Sequence, residues 1–560
     1  MKKMPLGIQS FRKIIEGDYV YVDKTDYVYD LINNASYYFL SRPRRFGKSL
    51  FLDTIAEVFS GDKRLFKGLF IYDSGYKFEK HPVLRVDMSN IANDTPDILK
   101  EELMLELMRY ARDEGINIDY STPSSLFKAM IKELHDKYDQ RVVVLIDEYD
   151  KPILDWLDNA ETAEANREVL RGFYGVLKSM DPYLRLTFIT GVSKFSKTSI
   201  FSELNNLYDI TLVEEYADIC GITTKELSSN FGDYIEWLSS LDTSGYSSNL
   251  HNEIMYWYGG YSWDGRNGVI NPHSLLSFFA RRGFSSFWHS SGTPRFLLDL
   301  IKNRPKGYTD LKRLEMGEWS LDSFDIQNMD VEPLLFQTGY LTVKEVRPEP
   351  APAAYILGIP NNEVRMAFDL HILADFTESG TTTAETAYRK IKESLISGDL
   401  KSMLNTLRAL FSAIPDKLSI GRDAYYHSIF QALLSLLGFE VKAEISGAGV
   451  VVDAVLELKD KVYVMELRYR DTTPYATPDR VRRLFEEGLI KGMRQLRGKG
   501  YHRKYAGGGK TIHLAVFTFL GSSAIEIRSR RIKPGNKVAD LFKKLKLLIR
   551  SLSDSSRKDE

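Results

Sequence analysis

A glycine, a lysine and a serine stand where an apolar run gives way to a helical pattern. They are Gly47, Lys48 and Ser49, which follow the strand-like run 37–40 in the segment SRPRRFGKSL. In a phosphate-binding loop, main-chain N–H groups and the helix N-terminus face the phosphates, the lysine bridges them and the hydroxyl binds Mg²⁺. The spacing therefore predicts a nucleotide phosphate site, although the pattern G-x-x-x-x-G-K-[ST] has glycine where this chain has Arg42.

Two acidic residues at the end of a later apolar run could complete such a site. The run 142–146 contains four β-branched residues and predicts a strand buried on both faces, and Asp147 and Glu148 follow it directly. Nucleotide hydrolysis needs one carboxylate for the Mg²⁺ shell and a second to orient and deprotonate the attacking water. We assign the first role to Asp147 and the second to Glu148. A buried strand that merely ends in surface acids is the alternative.

A second pair of carboxylates lies in the last third, on two neighbouring predicted strands. Asp453 lies on the first strand and Glu466 on the second, and Arg468 shares the face of Glu466 because side chains alternate along a strand. Two carboxylates held in this way can bind a hard divalent cation, which activates water and stabilises charge on a scissile phosphate. Arginine stays protonated and cannot act as a general base in practice. Arg468 therefore leaves open whether this site cleaves a phosphodiester.

The elements that must position these residues alternate in type through the first third, which predicts a parallel α/β sheet. Strands are expected at 83–87, 142–147 and 186–191, and a helix over 98–109 precedes the acidic strand. The last strand carries Thr190 near its end, where a hydroxyl could sense the γ-phosphate. A strand-end threonine whose hydroxyl is satisfied within the fold is the alternative.

Composition restricts the class of protein. The 560 residues suffice for about three or four domains, and the 43% hydrophobic and 27% charged content is typical of a globular protein. The single cysteine, Cys220, excludes a disulfide scaffold and a cysteine-ligated zinc site and fits a cytoplasmic protein. No apolar run reaches the roughly 18 residues of a membrane span, so no membrane partner is expected.

Basic segments dominate the chain after residue 480, despite a net charge of -1 overall. Lysine and arginine with interleaved tyrosine and histidine suit the phosphate backbone of a nucleic acid, and we expect DNA as the partner. Solvated basic helices without a ligand are the alternative. No residue pattern distinguishes DNA from RNA, and a homo-oligomer remains open.

Several runs together resemble the AAA-ATPase-like family, in which the ATPase is usually fused to a C-terminal nuclease-like domain of the PD-(D/E)XK superfamily. They are FRKIIEGDYVYVDKT, SRPRRFGKSL, LIDEYDKPI, ITGVSKFS, CGITTKEL and NPHSLL. The arginine at position 42 is itself similar to the loop of that family. The resemblance covers nearly the whole chain. It implies an α/β fold with a P-loop NTPase parallel sheet and a helical lid, plus a C-terminal α/β PD-(D/E)XK-like domain.

For the first site, the resemblance implies that ATP and Mg²⁺ bind, with Ser49 and Asp147 as metal ligands and Glu148 as the hydrolytic base. The expected nucleotide contacts are Arg45, Gly47, Lys48, Ser49, Leu50, Asp147, Thr190, Pro294 and Arg295. Pro294 and Arg295 belong to a Gly-Thr-Pro turn, which in AAA-related ATPases packs a proline against adenine; an ordinary loop turn is the alternative. The segment VYVDKT is expected beside the base.

For the second site, the resemblance is to the Asp…Glu-x-Lys core of PD-(D/E)XK nucleases. It implies that Asp453, Glu466 and the carbonyl of Leu467 bind Mg²⁺ or Mn²⁺. Arg468 stands where that core usually has lysine, which puts the positioning or deprotonation of the water in doubt. Gln495 and Tyr501 lie where the superfamily often has a supporting glutamine and tyrosine.

We divide the chain into an AAA-like P-loop ATPase domain (1–215), a helical lid (216–310), a winged-helix-like or helical connector (311–415), a PD-(D/E)XK nuclease-like domain (416–540) and a basic and polar tail (541–560). The predicted function is ATP binding and hydrolysis that gates a metal-dependent nuclease acting on DNA. The alternative is a nucleotide-driven interaction switch whose nuclease-like domain binds nucleic acid or protein without cleaving.

Overall fold

The chain forms two compact units in a computed structural model, the first ending at Arg365 and the second beginning at Met366. The residues described are 1–194, 200–201, 204, 206–241, 249–288, 313–322, 330–348, 352–376, 380–412, 433–437, 440–446, 449–470, 477–499, 505, 509–520 and 524–533. Within these ranges, no helix combines the length and the apolar character that a bilayer crossing requires.

A five-stranded parallel sheet lies at the centre of the first unit, in the order β2-β3-β4-β1-β5. Its strands are β1 (Tyr37–Ser41), β2 (Val83–Asp87), β3 (Val142–Asp147), β4 (Leu184–Gly191) and β5 (Tyr208–Asp209). Every residue of β1 and β3 is buried, as expected of a parallel sheet covered on both faces. The predicted parallel sheet is confirmed. Its order brings the carboxyl ends of β1, β4 and β3 to one edge.

Helices accompany this sheet and begin at capping residues that the sequence supplies. They are α1 (Phe11–Glu16), α2 (Thr25–Asn34), α3 (Lys48–Ser60), α4 (Phe70–Asp73), α5 (Pro96–Asp113), α6 (Pro123–Tyr138), α7 (Lys151–Leu154) and α8 (Ala160–Ser179). Before both α5 and α6, a threonine accepts a hydrogen bond from a first-turn N–H, and proline occupies the first turn. These residues therefore determine where the two helices begin.

A helical segment follows the sheet in the first unit. It comprises β6 (Ile222–Thr223), α9 (Thr224–Ser239), α10 (Leu250–Tyr258), β7 (Val269–Ile270) and α11 (Pro272–Arg281). Thr223 and Glu226 form a capping box at the start of α9. The helices share an apolar cluster that also contains Val20 from the N-terminal segment, so this segment packs against the helices.

The rest of the first unit contains a small antiparallel sheet in the order β8-β10-β9. Its elements are β8 (Leu314–Gly317), α12 (Glu318–Asp322), α13 (Val331–Gln337), β9 (Thr342–Arg347) and β10 (Ala354–Gly358). Helix α14 (Asn362–Phe376) follows, and the boundary between the two units falls within it.

The second unit is built on a mixed five-stranded sheet in the order β11-β12-β13-β14-β15. Its elements are α15 (Gly380–Ser397), α16 (Leu400–Ser412), β11 (Glu440–Ser446), β12 (Gly449–Glu457), β13 (Lys461–Arg470), α17 (Pro478–Lys499), β14 (Thr511–Leu520) and β15 (Ala524–Ile532). β13 and β14 are parallel and joined through α17, while the other pairs are antiparallel. The expected C-terminal α/β domain is confirmed.

Helix α17 packs closely on this sheet because two of its glycines face the strands. A Cβ atom on Gly488 would lie 2.8 Å from the side chain of Thr518, and one on Gly492 would lie 2.5 Å from Val516. A Cβ atom on Gly498, in the last turn of the same helix, would meet nothing within 4 Å. The first two glycines therefore set the distance between helix and sheet.

We expect Gly492→Ala to destabilise the second unit by about 1–3 kcal/mol, because the added methyl group forces the helix away from the sheet. Gly498→Ala is the matched control in the same helix, and it should be neutral or stabilising by up to about 1 kcal/mol because alanine favours the helix. Hydrogen exchange of the amides in α17 and β14 measures both effects. Equal protection in the two variants would contradict this account of the packing.

Candidate functional site

The loop between β1 and α3 turns sharply before the helix begins. Arg45 and Gly47 both lie in the left-handed region, with φ of 70° and 95°. At Gly47 a Cβ atom would have open space, so the backbone angle alone favours glycine there. The first N–H groups of a helix have no partner within the helix, so the start of α3 at Lys48 can bind an anion.

The ammonium group of Lys48 is buried and folds back across this loop. Its Nζ donates to the main-chain oxygen of Arg42 at 3.0 Å and to that of Pro43 at 3.2 Å. Both acceptors are neutral. Phosphate oxygens are charged and accept hydrogen bonds more strongly, so this ammonium has a reason to exchange partners when a phosphate enters.

Asp147 ends β3 beside the first turn of α3. Burial raises the pKa of Asp147, while a hydrogen bond with the Ser49 hydroxyl and the charge of Lys48 partly lower it. Asp87 ends the neighbouring strand β2 in register with Asp147, and its charge raises that pKa further. A hydroxyl beside a carboxylate provides the hard oxygen ligands that Mg²⁺ prefers. Asp87 was not among the predicted site residues, and its position at a strand end was the signal for it.

Glu148 leaves the strand through a left-handed turn. Its φ is 48°, and its N–H donates to Oδ1 of Asp147 at 3.0 Å. A non-glycine residue in this region costs about 1 kcal/mol or more. The turn leaves Glu148 partly exposed while Asp147 is buried, so the two carboxylates occupy different environments. That difference suits one metal ligand and one base.

Thr190 is buried in β4, between the other two strands of the site. Within the part of the chain that the structure describes, its hydroxyl has no hydrogen-bond partner. The loop after β4 is held by Asp150, which the sequence-based prediction did not include. Its carboxylate accepts from the N–H of Val192 at 3.1 Å and from both N–H and Oγ of Ser193 at 2.6 Å. Asp150 therefore positions the loop that follows Thr190.

Arg42 is fully buried and joins separate segments of the first unit. Its guanidinium donates to the main-chain oxygens of Ser41, Thr211 and Tyr216, each at 2.9 Å. It also lies 4.0 Å from the ring centroid of Trp263, in the helical segment. Burial lowers the pKa of Arg42 to about 10, so the group keeps its charge at neutral pH. Arg42, which replaces the first glycine of the motif, thus has a structural role because it connects these segments.

An apolar cavity of about 100 Å³ opens beside the start of α3. Gly47 and Leu50 line it from the loop and helix, and the N-terminal segment contributes Val20, Tyr21 and Val22. Further walls come from the helical segment, including Cys220, Pro272 and Leu276. Leu50 and the VYVDKT segment therefore lie together beside the phosphate loop.

Arg45 points from the same loop toward the helical segment. Its Nη1 lies 2.8 Å from Nε2 of His273 and donates to the main-chain oxygen of Phe287 at 3.0 Å. Pro294 and Arg295, the other predicted contacts from that part of the chain, lie outside the described residues. Tyr501 of the second site does as well.

The second site lies on β12 and β13, where Asp453 and Glu466 are directly opposite each other in the antiparallel register. The backbone register alone places Asp453. Glu466 and Arg468 are both buried, and Arg468 Nε donates to Oε1 of Glu466 at 2.7 Å. Leu467, between them, is buried and pairs with Val452. The register therefore sets the backbone positions of Asp453 and Glu466 opposite each other, and the carboxylate of Glu466 is bound by Arg468.

Helix α17 completes this second site from above the sheet. The side-chain oxygen of Gln495 accepts a hydrogen bond from Arg468, as the expected supporting position of Gln495 implies. A Cβ atom on Gly492 would lie 3.2 Å from Oε1 of Glu466, so glycine is needed for this approach. Gly492 was not predicted, and only the packing reveals its role. Across the described ranges, no three or more His, Cys, Asp and Glu side chains are arranged to hold a metal ion.

The fold and the sites define a phosphate-loop nucleotide-binding unit joined to a unit with the sheet of a PD-(D/E)XK-like domain. A family model described as a predicted AAA-ATPase matches residues 5–201, and one described as the PD-(D/E)XK nuclease superfamily matches residues 421–528. An uncharacterized protein in the vnfD 5' region of Azotobacter chroococcum mcd 1 is 36% identical over 531 residues, which are 93% of this chain and 97% of that protein. The chain belongs to the family of predicted AAA-ATPases that carry a C-terminal PD-(D/E)XK domain.

We expect Arg42→Met to lower the free energy of unfolding of the first unit by about 3 kcal/mol, because it leaves buried carbonyl groups without their donors. Arg44→Met, at an exposed position two residues away, is the matched control and should change little. Urea unfolding followed by tryptophan fluorescence isolates this unit, because all six tryptophans precede residue 320. Identical midpoints for the two variants would refute the structural role of Arg42.

Proposed function

We propose that this protein binds and hydrolyses ATP and that its nucleotide state gates a metal-dependent nuclease activity on DNA. The observation that carries the ATPase half is the position of Ser49, in the first turn of α3, beside Asp147 at the end of β3, where the Ser49 hydroxyl lowers the pKa of Asp147. These residues are 98 positions apart, yet the fold sets a hydroxyl and a carboxylate side by side next to Lys48. A Mg²⁺ ion held there would neutralise charge on the β- and γ-phosphates.

The residues around this pair take distinct roles in the proposal. Lys48 leaves the loop carbonyls for the phosphates, and Glu148, which is partly exposed, accepts the proton of the attacking water. Thr190 is buried at the adjacent strand end and contacts the γ-phosphate through its hydroxyl. The apolar cavity lined by Leu50 and the VYVDKT segment receives the base, since flat apolar walls suit a purine ring. Arg45 is the further phosphate contact.

Support for a nucleic-acid partner comes from the surface of α17. The helix carries seven cationic and three acidic residues, and five exposed cations recur at helical spacing along one side. They are Arg480, Arg483, Lys491, Arg494 and Arg497. At 1.5 Å per residue this row extends about 25 Å, a length that spans several phosphates of a duplex. Strand β15 carries three further exposed cations, Arg528, Arg530 and Arg531.

Support for cleavage comes from the register that sets Asp453 opposite Glu466. Carboxylates on adjacent strands are a fitting donor set for Mg²⁺ or Mn²⁺, and the carbonyl of Leu467 is the third proposed ligand. The metal would supply an activated water and charge stabilisation at the phosphate. Arg468 then contributes positive charge and not a base, because its guanidinium stays protonated.

A second candidate is a switch that binds nucleic acid or protein without cleaving it. The contact that favours this candidate is the ion pair of Arg468 with Glu466, buried and extended to Gln495. A cation already bound to the carboxylate competes with a metal ion for the same oxygen. Breaking a buried pair costs several kcal/mol, which the metal would have to offset.

Lys48→Ala should abolish ATP binding, because the loop loses the cation that bridges the phosphates. Glu148→Gln should keep ATP binding but slow hydrolysis by at least about 100-fold, because the amide cannot accept the proton. Glu161→Gln, an exposed acid on α8, is the control. A fluorescent nucleotide measures binding and phosphate release measures turnover. If Glu148→Gln hydrolysed ATP at the wild-type rate, Glu148 would not be the base for the attacking water.

We expect the full-length protein to cleave plasmid DNA with Mg²⁺ or Mn²⁺, and we expect Asp453→Asn and Glu466→Gln to reduce cleavage by at least about 100-fold. Glu457→Gln is the matched control, because this acid ends β12 and pairs with Lys510 at the surface. In Lys48→Ala, cleavage should no longer respond to ATP.

Equal product from wild type and Glu466→Gln would refute the nuclease assignment. An intact plasmid together with a mobility shift of labelled duplex would favour the second candidate. Under that candidate, Arg468→Lys restores the residue usual at this position of the core, and a gain of cleavage would identify Arg468 as the block.

A further inference from the structure

The phosphate loop has a side-chain link to a peptide far along the chain. Arg45 donates to the main-chain oxygen of Phe287 at 3.0 Å, and its Nη1 lies 2.8 Å from Nε2 of His273. Arginine is only a donor, so Nε2 of His273 must be the acceptor and the imidazole neutral. Burial lowers the pKa of His273, and the charges of Arg45 and Arg281 lower it further, in agreement with a neutral ring.

The same peptide is held from its other side by Glu363. One carboxylate oxygen, Oε1, accepts from the N–H of Phe287 at 2.6 Å and from the N–H of Trp288 at 2.8 Å. Glu363 is fully buried. Both N–H groups therefore depend on a single acceptor oxygen. The Phe287–Trp288 segment is therefore held at two points. Arg45 of the phosphate loop binds the carbonyl of Phe287, and Glu363 binds the N–H groups of both residues.

Glu363 lies in the first turn of α14, where an acidic side chain is favoured by the helix dipole. Asn361 secures this end of the helix: its Oδ1 accepts from Val364 N–H at 3.0 Å, and its Nδ2 donates to Gly259 O at 2.9 Å. The helix continues past Arg365, where the first unit ends. The start of α14 is thus two hydrogen-bonded steps from the phosphate loop.

We propose that Glu363 is a positioning residue for the nucleotide site: through Phe287 and Trp288 it holds Arg45 in a nucleotide-free arrangement that ATP must break. This inference rests on the proposed ATP function. Phosphate oxygens carry charge, whereas the Phe287 carbonyl and the His273 imidazole are neutral, so a triphosphate is the stronger acceptor for Arg45. When Arg45 turns to it, the Phe287 carbonyl loses its donor.

Linkage determines the sign of the effect. A contact that ATP must break lowers the affinity for ATP, and weakening the contact by mutation raises that affinity. Burial raises the pKa of Glu363 to about 7. Whether the carboxyl group is ionised or protonated, Oε1 can accept hydrogen bonds from both N–H groups. Glutamine keeps this acceptor and leucine removes it.

The test compares Glu363→Leu with the matched control Glu363→Gln in the full chain, using a non-hydrolysable ATP analogue. We expect Glu363→Leu to bind the analogue roughly tenfold more tightly, and Glu363→Gln to stay within about twofold of wild type. Tryptophan fluorescence in urea checks that each variant folds.

Hydrogen exchange of the Phe287 and Trp288 amides supplies a second readout, and its main comparison uses wild type with and without the analogue. In wild type, the analogue should speed exchange at these amides, and in Arg45→Met exchange should already be fast without it. Unchanged exchange in wild type with bound analogue would overturn the inference while leaving the ATP function intact. Failure of wild type to bind ATP would instead overturn the function itself.

Discussion

The guanidinium of Arg42 is buried where the phosphate loop, the chain after β5 and the helical segment meet. Burial of a charge is costly unless its donors find acceptors. Here Nη1 and Nη2 donate to three main-chain carbonyls at 2.9 Å and Trp263 covers the flat face, while Nε has no acceptor among the described residues. The carbonyl of Arg42 in turn receives the ammonium of Lys48. The position of Lys48 therefore depends on a loop that the buried side chain of Arg42 holds in place.

The buried carboxylates of the two candidate sites have different electrostatic surroundings. In the first, Asp147 is buried with a raised pKa, so a bound cation would relieve an unfavourable charge. In the second, Glu466 is buried but already bound by Arg468, which itself contacts Gln495. A metal ion would be favoured by the first arrangement and would have to compete with Arg468 in the second. The same kind of residue, a buried carboxylate at a strand, thus offers different chemistry according to its neighbour.

Much of the fold follows from local signals. The alternation of β-branched runs with capped helices predicted the parallel sheet, and the structure confirms it at β2, β3 and β4. The motif residues Lys48, Ser49 and Asp147 were singled out because their types and order match the chemistry of phosphate and Mg²⁺, and their roles stay predictions. Asp150, Gly492 and Glu363 were not found, because an acid or a glycine inside a buried element looks the same in sequence whether it holds a loop, admits a helix or fills no role.

The sequence by itself determined the parallel strands β2, β3 and β4, and it singled out the lysine of the phosphate-loop motif and the two acid pairs. These features depend on side-chain period and residue type over short spans. Tertiary structure alone decided the partners: Arg42 reaches Tyr216 across 174 positions and Arg45 reaches Phe287 across 242. The strength of such contacts depends on distance and burial. Neither distance nor burial can be read from the linear sequence, so only the folded chain shows which partners Arg42, Arg45 and Arg468 contact.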